Sequence, residues 1–170
     1  MQILKWISLG LIFTLSTLIG NIKSKKYIDR VKELKDLKMS FNIIETKIRY
    51  TYKPLKDIFE ELSKGSEKEK IKELLANLSQ SLENLSMQEA WESALNTTKL
   101  NLNEEDLGVI SPIGKMLGKT DKDGQVSELK VIMTFLDKQI EKAEIEKAKN
   151  EKLYKTLGLI TGMAIVILLI

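Results

Sequence analysis

Residues 6–22 read WISLGLIFTLSTLIGNI, with no charged side chain among them. A second uncharged stretch, TLGLITGMAIVILLI, runs from Thr156 to Ile170. A helix rises about 1.5 Å per residue, and about 20 apolar residues cross a hydrocarbon core. Taken from Ile3, the first stretch has that length. The second reaches it when started near Leu153, with Lys152 and Lys155 snorkelling toward the headgroups. The chain therefore reads as one that crosses a membrane twice. Transmembrane helices are expected over 3–22 and 153–170, with a domain of residues 23–152 between them.

Charge is confined to the interior. All 24 acids and 26 of the 27 bases lie in residues 23–155, a net of 26 − 24 = +2. That balance gives no sign of a nucleic-acid partner, whose groove would also call for interleaved aromatics. The imbalance is local: Lys23, Lys25, Lys26, Arg30, Lys32, Lys35 and Lys38 face only Asp29, Glu33 and Asp36 within residues 23–38. Such a juxtamembrane cluster is attracted to anionic lipid, at about 1 kcal/mol per basic residue near the surface.

Lysines also set the expected orientation. Only Lys5 and the amino terminus precede the first span, and nothing basic follows the second. On the interior side stand the seven bases just named and Lys142, Lys147, Lys149, Lys152 and Lys155. The positive-inside rule counts these and largely ignores acids. It puts the central domain in the cytoplasm and both ends across the membrane. The competing reading is a cleaved signal peptide with Lys5 as its basic region. For a cut after Gly20 it puts Leu18 where a small residue belongs.

Inside the charged segment, apolar residues recur at helical spacing and strand signals are nearly absent. Leu34, Leu37, Phe41, Ile44 and Ile48 step by 3, 4, 3, 4, so the first span is expected to continue as helix to about Arg49. Thr51 and Pro54 signal the start of a second helix, ended by Gly65, with Leu55, Ile58, Phe59 and Leu62 as its stripe. Ser66 with Glu69 reads as a capping box before Ile71, Leu74, Leu75, Leu78 and Leu82. Ser86 with Glu89 reads as another, before a short helix carrying Trp91 as a core anchor. Asn103 can cap a fifth helix over 104–118, which Pro112 should interrupt and Gly118 close. Residues 121–124 read as a polar turn. From Gln125 the stripe Leu129, Met133, Leu136, Ile140, Ala143 runs unbroken into the second span. Short connections favour antiparallel neighbours. The expected fold is all-α: a compact six-helix antiparallel bundle flanked by two transmembrane helices.

The chemistry-bearing motifs are weak. With neither cysteine nor histidine, no disulfide, thiolate or imidazole is available. Asp121-Lys122-Asp123-Gly124 resembles the start of a calcium loop, but Ile132 stands where the loop needs its glutamate. Gly114-Lys115 and Gly118-Lys119-Thr120 echo the end of a phosphate-binding loop, yet Met116 follows the first, Ile113 stands where the second needs its earlier glycine, and no strand precedes either. Neither metal nor cofactor is expected, and no catalytic residue stands out. Gly158 and Gly162 are of another kind. Gly-x-x-x-Gly in an apolar span lets two helix backbones approach closely, whether the second helix is the first span or another protein's.

Met87-Gln88-Glu89-Ala90-Trp91-Glu92-Ser93-Ala94, then Leu117-Gly118-Lys119-Thr120-Asp121 and Gln125, resemble the stage III sporulation protein AB family of endospore formers. Tyr50-Thr51-Tyr52-Lys53-Pro54-Leu55 adds to the likeness, which covers the whole chain. That family is similar to the cytoplasmic domain of the inner-membrane platform protein of type II secretion and type IV pilus machines, a six-helix bundle. Those platform domains carry a Gly-Glu-x-x-Gly-like turn before the last helix. Here the turn is Gly118-Lys119-Thr120-Asp121, without the glutamate, so no metal site is carried over. Lys119, Asp121 and Gln125 at this turn are a candidate partner-facing surface.

By that resemblance, the chain is expected to be a non-enzymatic, multi-pass platform subunit in the mother-cell membrane around the forespore. It would serve a secretion-like channel joining the two cells. Its partners would be a cytoplasmic sporulation ATPase, other stage III A channel proteins, membrane lipid and further copies of itself. Two alternatives stand beside it. One is an extracytoplasmic membrane-anchored helical module after signal cleavage. The other is a membrane-bound hydrolase using carboxylates or a metal, whose best sign would be an intramembrane acid or base; the uncharged stretches 6–22 and 156–170 have none.

Overall fold

A computed structural model describes residues 2–119 and 121–169, with side chains from Trp6 onward. Lys5's side chain and Thr120, both used in the sequence reading, lie outside the described residues. The described chain is helical, without a strand. Its helices are α1 (Gln2–Tyr50), α2 (Leu55–Gly65), α3 (Glu69–Ser81), α4 (Met87–Thr97), α5 (Glu104–Ile110), α6 (Ile113–Met116) and α7 (Lys122–Leu169). Helices α5 and α6 are the fifth helix of the sequence reading, interrupted at Pro112 as its missing N–H requires. The count is thus six helices, the first and last ending in apolar segments long enough to cross a membrane. Two compact units result. One is Lys32–Glu141; the other combines the residues up to Val31 with those from Lys142 onward.

In the unit Lys32–Glu141 most of the predicted stripe residues form the core, while Leu55, Leu62, Leu82 and Ile140 are half-buried. Leu34, Leu37, Phe41, Ile44 and Ile48 are all buried, as are Ile58 and Phe59 of α2 and Ile71, Leu74, Leu75 and Leu78 of α3. Leu129, Ile132, Met133 and Leu136 complete it from α7. Each such side chain contributes about 1.5–3 kcal/mol by leaving water. Trp91 fills the centre at 1 % exposure. Its indole Nε1–H donates to the Ile110 carbonyl at 2.9 Å, and its ring lies 6.2 Å from that of Phe41, tilted by 54°. A Cβ on Gly114 would fall 2.8 Å from the Trp91 Cβ, so only glycine lets α6 close against the indole.

Helix ends follow local hydrogen bonding, with three departures from the sequence reading. The Ser86–Glu89 capping box forms, and Asn103 forms another with Asp106, each side chain accepting from the other's backbone N–H. The Ser66–Glu69 box does not form. Ser66 is the extended C-cap of α2, its Oγ accepts the Lys68 N–H at 3.1 Å, and α3 starts only at Glu69. Thr51 closes α1 instead of opening α2: its hydroxyl donates to the Lys47 carbonyl at 2.7 Å, and Pro54 is the N-cap of α2. Residues 122–124, expected as a turn, are the first turn of α7, because Asp121 Oδ1 accepts the Gly124 N–H at 2.9 Å.

Candidate functional site

Two places gather the residues singled out in the sequence. The first is the packing of the apolar parts of α1 and α7 within their unit. Gly158 lies against Gly20 and Ser16: a Cβ there would come within 2.9 Å of the Ser16 carbonyl oxygen and 3.0 Å of the Gly20 Cα. The relation is reciprocal, since a Cβ on Gly20 would fall 2.6 Å from the Tyr154 carbonyl oxygen and 3.0 Å from the Gly158 Cα. Four residues on, Gly162 meets Phe13 and Ser16. Ser16 Oγ–H also donates to the Gly158 carbonyl at 2.8 Å. Position rises on one helix as it falls on the other, so the pair is antiparallel.

Beyond the glycine contact the pair turns polar. Tyr27 and Tyr154 stack with centroids 5.8 Å apart and planes 16° from parallel. The Tyr154 contact, and then burial, hold the Tyr27 hydroxyl above its ordinary pKa. Lys23 Nζ lies 5.8 Å from the Tyr154 ring centroid. Arg30 Nη1 donates to Glu146 Oε2 at 2.7 Å, with the Arg30 side chain almost fully buried. The outward apolar side chains are bare: Leu11, Leu15, Leu18, Ile19, Leu157 and Ile160 are each exposed by roughly half of their surface. Side chains of this kind, placed around backbones in close contact, suit helices that pack in lipid, where small residues and interhelical hydrogen bonds supply the cohesion.

The second place is the turn before α7. Gly118 has φ +83°, the left-handed geometry that ends a helix, and so closes α6. Lys119 and Asp121 are exposed and Gln125 is half-buried. Asp121 is engaged in capping α7, leaving Lys119 as the outward charge of the three. Nearby, Lys122 Nζ sits 3.5 Å from the Tyr52 ring centroid and donates to the Thr51 carbonyl at 3.3 Å. The turn is thereby tied to the α1–α2 connection.

The sequence reading named Gly158 and Gly162 but not their counterparts. Ser16-x-x-x-Gly20 is itself a small-x-x-x-small pattern, and that was the available signal. Gly114, which echoes a phosphate loop in the sequence, serves instead to admit the Trp91 indole. The Glu33 carboxylate, buried in the unit Lys32–Glu141, accepts from the backbone N–H of Asn101 and from its Nδ2 at 2.8 Å. No local pattern announces that pairing across 68 positions.

Comparison with known proteins agrees with the fold. A family model described as stage III sporulation protein AB matches residues 5–170. The chain belongs to the stage III sporulation protein AB family. The stage III sporulation protein AB of Bacillus subtilis (strain 168) is 28% identical over 167 residues, covering 95% of this chain and 97% of that protein. A solved structure titled stage III sporulation protein AB (SpoIIIAB) superposes with a TM-score of 0.65 at 23% identity. It covers 71% of this chain and 98% of its own, a likeness of fold. The family is one of sporulation proteins and not a known enzyme family.

Proposed function

We propose that this chain is a non-enzymatic platform subunit of a secretion-like channel between mother cell and forespore, required for endospore formation. Residues 3–22 and 153–170 cross the mother-cell membrane around the forespore, and residues 23–152 form the cytoplasmic domain. That domain docks a sporulation ATPase and other stage III A channel proteins, with Lys119 and its turn as one contact surface. Membrane lipid surrounds the spans, and further copies of the chain assemble beside it. The observation that carries this reading is the reciprocal glycine contact of two lipid-suited helices in a member of a sporulation family. A helix pair of that kind makes an anchor, and a bundle with its aromatic anchor buried offers surfaces for proteins more readily than a reaction centre.

Affinity capture from sporulating cells, with crosslinks mapped to residue pairs, tests it. Crosslinks from residues 32–141 to an ATPase and to other stage III A proteins are expected. Gly158→Leu with Gly162→Leu should stay in the membrane, lose the membrane partners and fail to support spores. Capture with no sporulation ATPase or stage III A protein, or full function in the double variant, would contradict the proposal.

A further inference from the structure

Beside the glycine contact runs an open groove of about 520 Å³ between the apolar parts of α1 and α7. Ile12, Leu15 and Ile19 line it from α1, and Leu157 and Ile165 from α7. Lys23 and Tyr154 stand at one end. From Lys23 to Ile12 is 11 residues, and from Tyr154 to Ile165 is also 11, so each wall extends about 16 Å. Half of a hydrocarbon core about 30 Å thick is about 15 Å. The groove thus has the depth of a single leaflet, with a cation at its mouth and apolar walls below.

We propose that this groove holds one phospholipid of the inner leaflet with an anionic headgroup. An acyl chain lies along Leu15, Ile19 and Leu157, and the headgroup phosphate meets the Lys23 ammonium. The inference rests on the membrane reading given above and adds a defined site to it. Charge favours this occupant over a second copy of the chain. Lys23 is exposed and has no carboxylate partner among the described residues, and Lys25 and Lys26 stand beside it. A second copy seated in this groove in the same orientation would bring its own three lysines against Lys23, where like charges repel; copies elsewhere around the pair are not so opposed. An anionic headgroup meets the same charges with attraction, as basic pockets between spans at the cytoplasmic face do. Of the two aliphatic hydroxyls in the lining, that of Ser16 is committed to the Gly158 carbonyl, and that of Thr161 lies among apolar side chains.

The full chain would be reconstituted in vesicles of phosphatidylcholine doped with phosphatidylglycerol, extracted mildly and weighed by native mass spectrometry. One phosphatidylglycerol per chain should be retained in preference to phosphatidylcholine. Lys23→Gln should lower that preference about fivefold, the ratio equivalent to about 1 kcal/mol for one basic residue at the surface. Ile19→Trp, which fills the groove, should abolish retention of both lipids. Lys149→Gln, away from the groove, should change nothing. Equal retention of the two lipids, an unaltered preference in Lys23→Gln, or a second copy retained in place of lipid would each overturn the proposal. Carbonate extraction of the same vesicles separates its failure from that of the membrane reading. A chain that resists carbonate but keeps no lipid contradicts the groove alone, and one released by carbonate contradicts both.

Discussion

The unit Lys32–Glu141 and the paired apolar ends are built from the same element, the helix, by opposite means. The head is held by what its side chains add: Trp91, Phe41, Phe59 and the leucine stripes bring bulk out of water. The apolar pair is held by what its side chains leave out, since Gly20 and Gly158 meet where any Cβ would collide. On the proposed membrane location of the pair, solvent explains the contrast. Water drives large apolar groups together, whereas lipid tails are as apolar as leucine and reward only close contact and hydrogen bonds. Exposed Leu11, Leu15, Leu18, Ile19, Leu157 and Ile160 crowd the pair, whereas the head exposes apolar side chains such as Val131 and Phe135 among charged ones.

Removing bulk should therefore hurt the head most. Residues 25–152, made without the apolar ends, should be soluble and strongly helical. Trp91→Ala should lower the unfolding free energy of this fragment by about 3–5 kcal/mol in urea titration. A loss under about 1 kcal/mol would mean that the indole is not the centre of the core.

Adding bulk is the next test, because the head holds one exception to its own rule. Gly114 makes room for Trp91 much as Gly20 makes room for Gly158. Gly114→Ala should cost the fragment about 1–3 kcal/mol, by overpacking and not by a cavity. If it is tolerated without loss, close packing by absence is peculiar to the apolar pair.

How far the sequence carried each region follows from the same contrast. Bulk repeats with a period, so the stripes on α1, α3 and α7 were legible, and so was Trp91. Uncharged length marked the apolar ends equally well. Absence has no period. Gly158 and Gly162 were visible only because both are glycine, while Ser16 and Gly20 were hidden by a serine in the pattern. Competing local bonds account for the misplaced ends. Ser66 accepts from the Lys68 N–H, in place of the Glu69 N–H that a capping box needs. Contacts distant in sequence, such as Glu33 with Asn101, need the fold before they can be seen.

The smallest expected effect concerns surface charge on the head. Glu61 accepts from Lys47 and Lys53, each at 2.9 Å, and hydrogen bonds from these two hold its carboxyl down to about 2. The unfolded chain takes up that proton first as pH falls. This contribution to stability is therefore present above the unfolded value of 4.5 and is lost as pH drops from there toward about 2. Glu61→Gln should flatten the acid side of the fragment's stability profile slightly, and most clearly at low salt. An unchanged profile would show that the two lysines do not hold Glu61 in solution.

The contrast depends on the two ends of one chain meeting through their small residues, and the lack of cysteine allows a direct test. A Cβ at Gly162 would lie 3.2 Å from the Ser16 Cβ, close to the roughly 3.5–4.5 Å that a disulfide spans. Ser16→Cys with Gly162→Cys, oxidised in native membranes, should give an intramolecular bridge at monomer mass. Leu11→Cys with Ile160→Cys, on exposed positions, should give none. Bridging only between chains, or equally in both variants, would contradict the pairing on which the account rests.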